Sequence, residues 1–398
     1  MKWKNSGRYS LATEDDLPNA PIDYTLLEVV FTLTLIGVVM VFASTYHRGF
    51  HYLKWHFLRA LIGFGALWVG TKLNVYRFAR PRVRWVLLGA TVVVLFTTLV
   101  FGDVVGVTKR NLLGVLQPAE FAKFVIIIYL AGYFSDLHNS GDKINFFNSL
   151  LKPGMVVAMV VGLTLLQPAV GTSVIITISS LMVFLVAGVR WRYLFLGGAI
   201  VTAIVIIGIA GMPLLRNTKY KYIPERWDKF INGDRYHQTQ ALIALGSGGP
   251  IGRGLGEGRQ KYYFLPKLHK DFIFCTIGEE LGFFGCLGIM LLYLVFFLRS
   301  CKIAMRTTQA FGQYLACGIA VVILLYALLH IAVSLSIVPT TGQPLPFISY
   351  GGSALVANLF AAGMVLKISK FRRVGIEESA NGRRWDRWSY LSGARPRP

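Results

Sequence analysis

Runs of about 17–25 apolar residues recur along almost the whole chain, each long enough to cross a bilayer as a helix. No other feature narrows the fold as much. Backbone placed in hydrocarbon must satisfy its own N–H and C=O groups, so runs repeated at this length specify a bundle of spanning helices. Composition agrees: 54% of the 398 residues are hydrophobic and 15% are charged, where a soluble domain carries about 25% charged residues. The expected fold is all-α and polytopic, with about ten transmembrane helices. The runs fall near residues 24–45, 55–71, 85–101, 116–134, 153–168, 172–189, 193–213, 272–298, 311–334 and 353–369.

Three parts follow from this pattern: a cytoplasmic N-terminal tail (1–23), a membrane domain (24–370) and a basic cytoplasmic tail (371–398). The first 20 residues are polar and mixed in charge. The first apolar run is too long for a signal-peptide core, so no cleaved leader is expected. The C-terminal tail is polar, basic and Pro-ended, and reads as disordered, suited to anionic lipid or a cytoplasmic partner. Cys275, Cys286, Cys301 and Cys317 lie in or beside apolar runs without metal or disulfide spacing, so packing is their expected role.

The formal net charge is +22, and its placement sets the topology. Basic residues cluster at Lys72, Arg77, Arg80, Arg82 and Arg84, at Arg190 and Arg192, at Arg299, Lys302 and Arg306, and from Lys367 onward. Short loops rich in Lys and Arg stay cytoplasmic, and these clusters alternate with the other loops if both termini are inside. The large loop 214–271, between helices 7 and 8, then lies outside although it carries eleven Lys and Arg against five acids. Long loops translocate largely regardless of charge. Such positive charge suits phosphate groups, anionic headgroups or an acidic partner; no nucleic-acid partner is expected.

That loop holds the residues richest in chemistry. Gly252-Arg253-Gly254-Leu255-Gly256-Glu257-Gly258 follows no strand and opens no βαβ helix, so it is no dinucleotide fingerprint. Its glycines permit either close backbone approach to a ligand or simple flexibility. Asp271, flanked by His269 and Lys270, stands where the eighth span begins. A carboxylate there can accept a proton from a sugar hydroxyl, hold a divalent cation or cap the helix. If Asp271 opens that helix, Glu279 lies about 12 Å deeper and about 80° around it, with Glu280 on the opposite face. The two glutamates then read as structural anchors, to a helix such as the one holding Lys123, more readily than as catalysts.

Two further polar clusters border the membrane. Lys109 and Arg110 precede Gln117, Glu120 and Lys123; the last two are three apart and can neutralise each other, while Arg110 can bind a phosphate. Gly342 to Ser353 (GQPLPFISYGGS), with Ser349 and Ser353, interrupts an apolar stretch with Pro and Gly. Irregular backbone at that depth is tolerated when it lines a cavity or is buried in protein.

In order and content these motifs resemble the SEDS family, polytopic proteins of bacterial cell-wall synthesis. The matching pieces are KR-x6-QPAEFAK (Lys109 to Lys123), QPAVGT (Gln167 to Thr172), the stretch Gln240 to Gly285, and PTTGQPLPFISYGGSAL (Pro339 to Leu355). The GLGEGRQKYYFLP segment looks more like the FtsW branch than the RodA branch. The resemblance implies a ten-helix peptidoglycan glycosyltransferase that polymerises lipid II on the outer face of the cytoplasmic membrane, at the division septum. It would work beside a class B penicillin-binding protein and other division proteins. The family's essential acid falls on Asp271, implied to act as general base toward the acceptor GlcNAc 4-hydroxyl. Lys109, Arg110, Arg253 and Lys261 are candidates to stabilise the lipid pyrophosphate. No cofactor is required by this pattern; a divalent cation (Mg or Mn) is compatible with it, without a dedicated ligand set. The chain departs from the family at Asn111 (usually Trp), Ala169 and Lys267 (usually acids) and His330 (usually Asn). A lipid II flippase and a non-catalytic division scaffold are the competing readings.

Overall fold

The computed structural model describes residues 20–46, 49–101, 103–105, 108–111, 117–141, 145–167, 169–195, 197–198, 236–259 and 268–371. Eleven α-helices carry the argument: α1 (Tyr24–Thr45), α2 (His51–Lys72), α3 (Pro81–Phe101), α4 (Ala119–Ser140), α5 (Lys152–Leu166), α6 (Val170–Val186), α7 (Tyr236–Ser247), α8 (Leu268–Asp271), α9 (Ile273–Arg306), α10 (Ala310–Ser334) and α11 (Gly352–Ser369). Between α3 and α4 a small antiparallel ribbon pairs β1 (Asp103–Val105) with β2 (Thr108–Asn111). It is the one exception to the all-helical expectation among the described residues.

Among the described residues, seven helices are long and apolar enough to cross a membrane, counting α5 with the π-turn that precedes it; α6 is a shorter apolar helix. α2 is 22 residues long but carries Lys54, Arg59 and Lys72. The expected span 193–213 lies outside the described residues after Gly198. Local chemistry sets the ends. Asp23 caps α1 by accepting a hydrogen bond from Leu26 N–H at 3.0 Å. Pro118 precedes α4, which starts at Ala119 rather than near 116, and Gly141 ends it in the left-handed region. About two thirds or more of the apolar windows of α4, α10 and α11 are buried, against 22% in α3 and α9. The first three form the centre of the bundle. The other two present Val93, Phe96, Leu291, Leu294 and Leu298 outward, as a lipid-facing surface requires.

The two ends of the bundle differ in charge. Ala20 N–H donates to the Lys370 carbonyl at 2.6 Å, Asp23 N–H to Ser369 Oγ at 3.1 Å, and Arg299 lies 3.9 Å from the Asp23 carboxylate. The start of α1, the end of α11 and the last third of α9 therefore share one end, with the basic residues Lys302, Arg306, Lys367 and Lys370. Helices joined by short connections reverse direction, so the end of α1, the ribbon and the starts of α4, α9 and α11 lie at the other end.

Two expectations change here. The segment 214–271 is not simply a loop: its described part contains α7, whose Ala241 and Ala244 are fully buried with Phe272, Cys275 and Val333. The eighth span is longer than 272–298, reaching Arg306, and it is bent at Gly282, whose φ of 69° and ψ of −165° leave the helical region.

Candidate active site

The glycine-rich run closes onto the bend in α9. Arg253 and Gly254 N–H groups donate to the carbonyls of Glu279 and Glu280 (3.0 and 3.1 Å), while Phe283 and Phe284 N–H groups donate to those of Gly249 and Pro250 (2.9 and 3.2 Å). The bend at Gly282 opens the helical hydrogen-bond ladder, and the loop fills it. A side chain at Gly252 would collide with the Glu280 carbonyl, and Gly252 itself has φ of 89°. Gly252 thus serves backbone-to-backbone packing, a use that neither flexibility nor a ligand cradle had anticipated.

The same contact accounts for the two glutamates. Glu279 Oε1 accepts from Arg259 N–H at 2.7 Å, and carboxylate oxygens of both Glu279 and Glu280 lie about 3 Å from where a Gly258 side chain would begin. Both carboxylates face Gly258, and Glu279 ties the loop to α9, the kind of structural anchoring expected of these acids. Lys123 is engaged elsewhere. Its ammonium is 2.7 Å from Glu120 Oε2 and 3.7 Å above the Tyr326 ring, and Tyr326 Oη donates to Glu120 Oε1 at 3.2 Å. Lys123 and Glu120 are 0% and 1% exposed. The neutralisation expected from their spacing is present, and Tyr326, which the sequence did not single out, ties the pair to α10.

Asp271 is placed differently from expectation. It ends α8, and Phe272 (φ −133°, ψ 26°) breaks the chain before α9, so the ideal-helix relation to Glu279 does not apply. Phe272, not Asp271, occupies the N-cap of α9, with no side-chain capping bond. Asp271 Oδ1 is buried without a hydrogen-bond partner among the described residues. Leaving such an atom unmatched costs about 1–3 kcal/mol, and it marks a position where water or a ligand completes the site.

His330 of α10 is enclosed in the protein, 1% exposed. Its Nδ1 is 2.8 Å from the Gln343 carbonyl oxygen. A carbonyl only accepts, so Nδ1 carries the hydrogen; Nε2 is buried and unmatched among the described residues. Gln343 is itself wedged against Gly171 and Thr172 of α6. The Gly342–Ser353 segment is buried as expected: Leu345, Phe347 and Ile348 are enclosed, and Tyr293 Oη donates to the Pro346 carbonyl. Ser349 Oγ accepts from Leu345 N–H at 2.8 Å, and Ser353 Oγ accepts from Gln117 N–H at 3.0 Å, joining the starts of α4 and α11.

The predicted residues therefore divide. Asp271, Gln117, Ser349, Ser353 and the Arg253 loop share one end of the bundle. Lys109 and Arg110 sit on β2 at that end by backbone position, while Lys261 and Lys267 lie outside the described residues. Arg253 is exposed, its Nε donating to the Ser247 carbonyl at 3.0 Å. Among the described residues no three of His, Cys, Asp or Glu converge as a metal site. Gln343 escaped sequence reasoning because its backbone carbonyl, not its side chain, does the orienting.

The fold defines a class: a multi-pass helical membrane protein. The chain belongs to the cell cycle protein family of FtsW, RodA and SpoVE, whose model matches residues 24–374. It is 34% identical over 359 residues to a probable peptidoglycan glycosyltransferase FtsW of Geobacter sulfurreducens, covering 87% of this chain and 95% of that one. It is 33% identical over 363 residues to the same-named protein of Coxiella burnetii, covering 86% and 95%. The fold matches a chain from a structure described as a peptidoglycan synthase complex coordinating polymerization and crosslinking (TM-score 0.72, 23% identity, 87% and 97% covered). It also matches the rod shape determining protein RodA of Thermus thermophilus (TM-score 0.66, 25% identity, 89% and 98% covered).

Proposed function

We propose that this protein is a peptidoglycan glycosyltransferase that polymerises lipid II on the outer face of the cytoplasmic membrane during division. The observation that carries the reading is the Asp271 carboxylate, with one oxygen buried and, among the described residues, unmatched at the bundle end away from the basic cluster. A general base needs a free lone pair held where a hydroxyl can reach it. Asp271 would take the proton of the acceptor 4-hydroxyl as that oxygen bonds the donor anomeric carbon and the lipid pyrophosphate leaves. Arg253, with Lys109, Arg110 and Lys261, would meet the diphosphate charge. If a divalent cation takes part, Asp271 would be the residue to hold it, and the ion would supply charge neutralisation for the diphosphate. By the positive-inside rule the basic end is cytoplasmic, which puts both tails inside and Asp271 outside. The partner we infer is a class B penicillin-binding transpeptidase that cross-links the product at the septum, among other division proteins.

A flippase would draw on the intramembrane charges of Glu120, Lys123, Glu279 and Glu280, and these are engaged in internal contacts. That weighs against it. The test is polymerisation of labelled lipid II by the full chain with its cognate transpeptidase. Glycan ladders are expected from the wild type and none from Asp271→Asn. Ladders of normal length and yield from a folded Asp271→Asn protein would remove the assignment, and no ladders from the wild type would favour the scaffold reading.

A further inference from the structure

Arg59 of α2 is a cation that the site described above leaves unused. It is half-buried, and its helix neighbours Trp55, Leu58 and Ile62 are exposed and apolar, as on a surface turned toward lipid. α2 and α11 run parallel, Gly63 packing against Leu359 and Gly70 against Phe360 and Gly363. Arg59 lies about 12 Å below the start of α2 at 1.5 Å per residue, beside the first residue of α11. Tyr52, His56 and Arg59 follow one another at helical spacing along the face of α2 that meets Tyr350. The rings of Tyr52 and His56 stand 5.6 and 5.7 Å from that of Tyr350, and the Arg59 guanidinium sits 4.5 Å from its centre. A methyl at Gly352 would begin 3.1 Å from Arg59 Nε and 3.6 Å from Cζ. The glycine lets the guanidinium lie against the backbone that opens α11.

That placement sets like charge against like. α11 is an 18-residue helix entered through Gly351 without a side-chain cap, and the N-terminal end of a helix carries partial positive charge on its free N–H groups. Arg59 adds a full positive charge there, at a depth where an uncompensated charge is costly. The Tyr350 ring offsets part of that cost. No carboxylate offsets the rest: the ion pairs among the described residues join Arg84 to Asp136, Lys123 to Glu120 and Arg299 to Asp23. An intramembrane guanidinium without a counter-ion calls for an anion, and one that arrives along an apolar, lipid-facing flank is carried by a lipid. Phosphate suits the place, because the guanidinium fork matches two of its oxygens while a third can accept from backbone N–H groups. We propose that Arg59, at the seam of α2 and α11, binds the phosphate of a membrane lipid. The seam adjoins the candidate site: Ser353, next to Gly352, accepts from Gln117 N–H at the start of α4. Under the proposed function the ligand is the lipid-linked diphosphate of the substrate, and that identification rests on that reading; an anionic phospholipid offers the same chemistry.

The test is the thermal midpoint of the purified full chain in detergent, for wild type, Arg59→Gln and Arg59→Lys. Each is titrated with undecaprenyl diphosphate, phosphatidylglycerol, and the phosphate-free undecaprenol and diacylglycerol. A ligand that binds the folded state raises the midpoint with its occupancy. The phosphate-bearing lipids should raise the wild-type midpoint and their phosphate-free counterparts should not. Arg59→Gln should need at least about tenfold more lipid for half the shift, with Arg59→Lys between the two. Without phosphate lipid, Arg59→Gln should be at least as stable as wild type, since it removes an uncompensated charge. Equal shifts at equal concentrations in wild type and Arg59→Gln would overturn the inference. So would an Arg59→Gln midpoint lowered alike with and without phosphate lipid, the mark of a purely structural strut. Undecaprenyl diphosphate acting at lower concentration than phosphatidylglycerol would assign the substrate, and Arg59→Gln should then raise KM for lipid II at least about threefold. The opposite order would assign a resident phospholipid to the same phosphate site. Asp271→Asn should keep the wild-type shift. If the shift depends on Arg59 while the wild type makes no glycan ladders, only the proposed function fails; if ladders form and Arg59→Gln shifts as wild type does, only this inference fails.

Discussion

Gly282→Ala is the sharpest test of how the candidate site is built. Gly282 has φ of 69° and ψ of −165°, a region open essentially to glycine alone; forcing an L-residue there costs about 1–3 kcal/mol. The added methyl would begin 2.6 Å from the Ile251 carbonyl carbon and 2.7 Å from Ile251 N, with Gly252 N closer still. These are backbone atoms of the docked loop and cannot swing aside as a side chain would. Overpacking of this kind costs about 1–3 kcal/mol more, so the total is about 2–6 kcal/mol, a large share of a typical stability of about 5–15 kcal/mol. The cheapest relief is release of the loop, breaking the four backbone bonds to Glu279, Glu280, Phe283 and Phe284. Two readouts check this in detergent: the thermal midpoint, and the rate of tryptic cleavage after Arg253 and Arg259, which flank the docked turn. Gly282→Ala should lower the first and raise the second several-fold. Gly65→Ala, where a methyl meets nothing within 4 Å on an exposed helix face, should change neither. A Gly282→Ala protein with wild-type midpoint and cleavage rate would refute the account of the loop as a strained, backbone-packed element.

Further outcomes follow from the same geometry. Glu120→Gln leaves the Lys123 ammonium buried and unpaired, so it should destabilise by about 3–5 kcal/mol; adding Lys123→Met should recover part of that loss, measured as a double-mutant cycle of unfolding midpoints. Arg299→Ala removes a half-exposed ion pair at 3.9 Å and should cost less than about 1 kcal/mol in the same measurement. If Arg253 meets the diphosphate, Arg253→Gln should raise KM for lipid II with kcat within about twofold, and an unchanged KM would remove it from the site. In a background with the four native cysteines replaced, a cysteine at Glu257 should react with an impermeant maleimide in intact cells and one at Lys302 only after permeabilisation; the reverse pattern would invert the orientation.

Much of the molecule was legible from residue order. Hydrocarbon demands helices of a set length, so 24–45, 310–334 and 352–369 could be read to within a residue or two from apolar runs. Asp271 stood out because a lone acid at a membrane boundary is unusual, and the Glu120–Lys123 pair because residues three apart share a helix face. What stayed hidden depends on contacts between distant segments. Helix α7 inside the long loop is short and only half apolar, and it is settled by burial of Ala241 and Ala244 against α9 and α10. The glycine run looked like a ligand cradle because glycine permits close approach without saying to what; the bent α9 supplied the answer. A helical wheel drawn from Asp271 failed because Phe272 breaks the chain, which no local propensity announces. His330 was visible only as a departure from a resembling pattern. Sequence by itself determined a membrane bundle and one exposed acid, since period and hydropathy are local quantities. Tertiary structure decided the surroundings of that acid, because packing remote segments together is what leaves Asp271 Oδ1 buried and, among the described residues, unmatched.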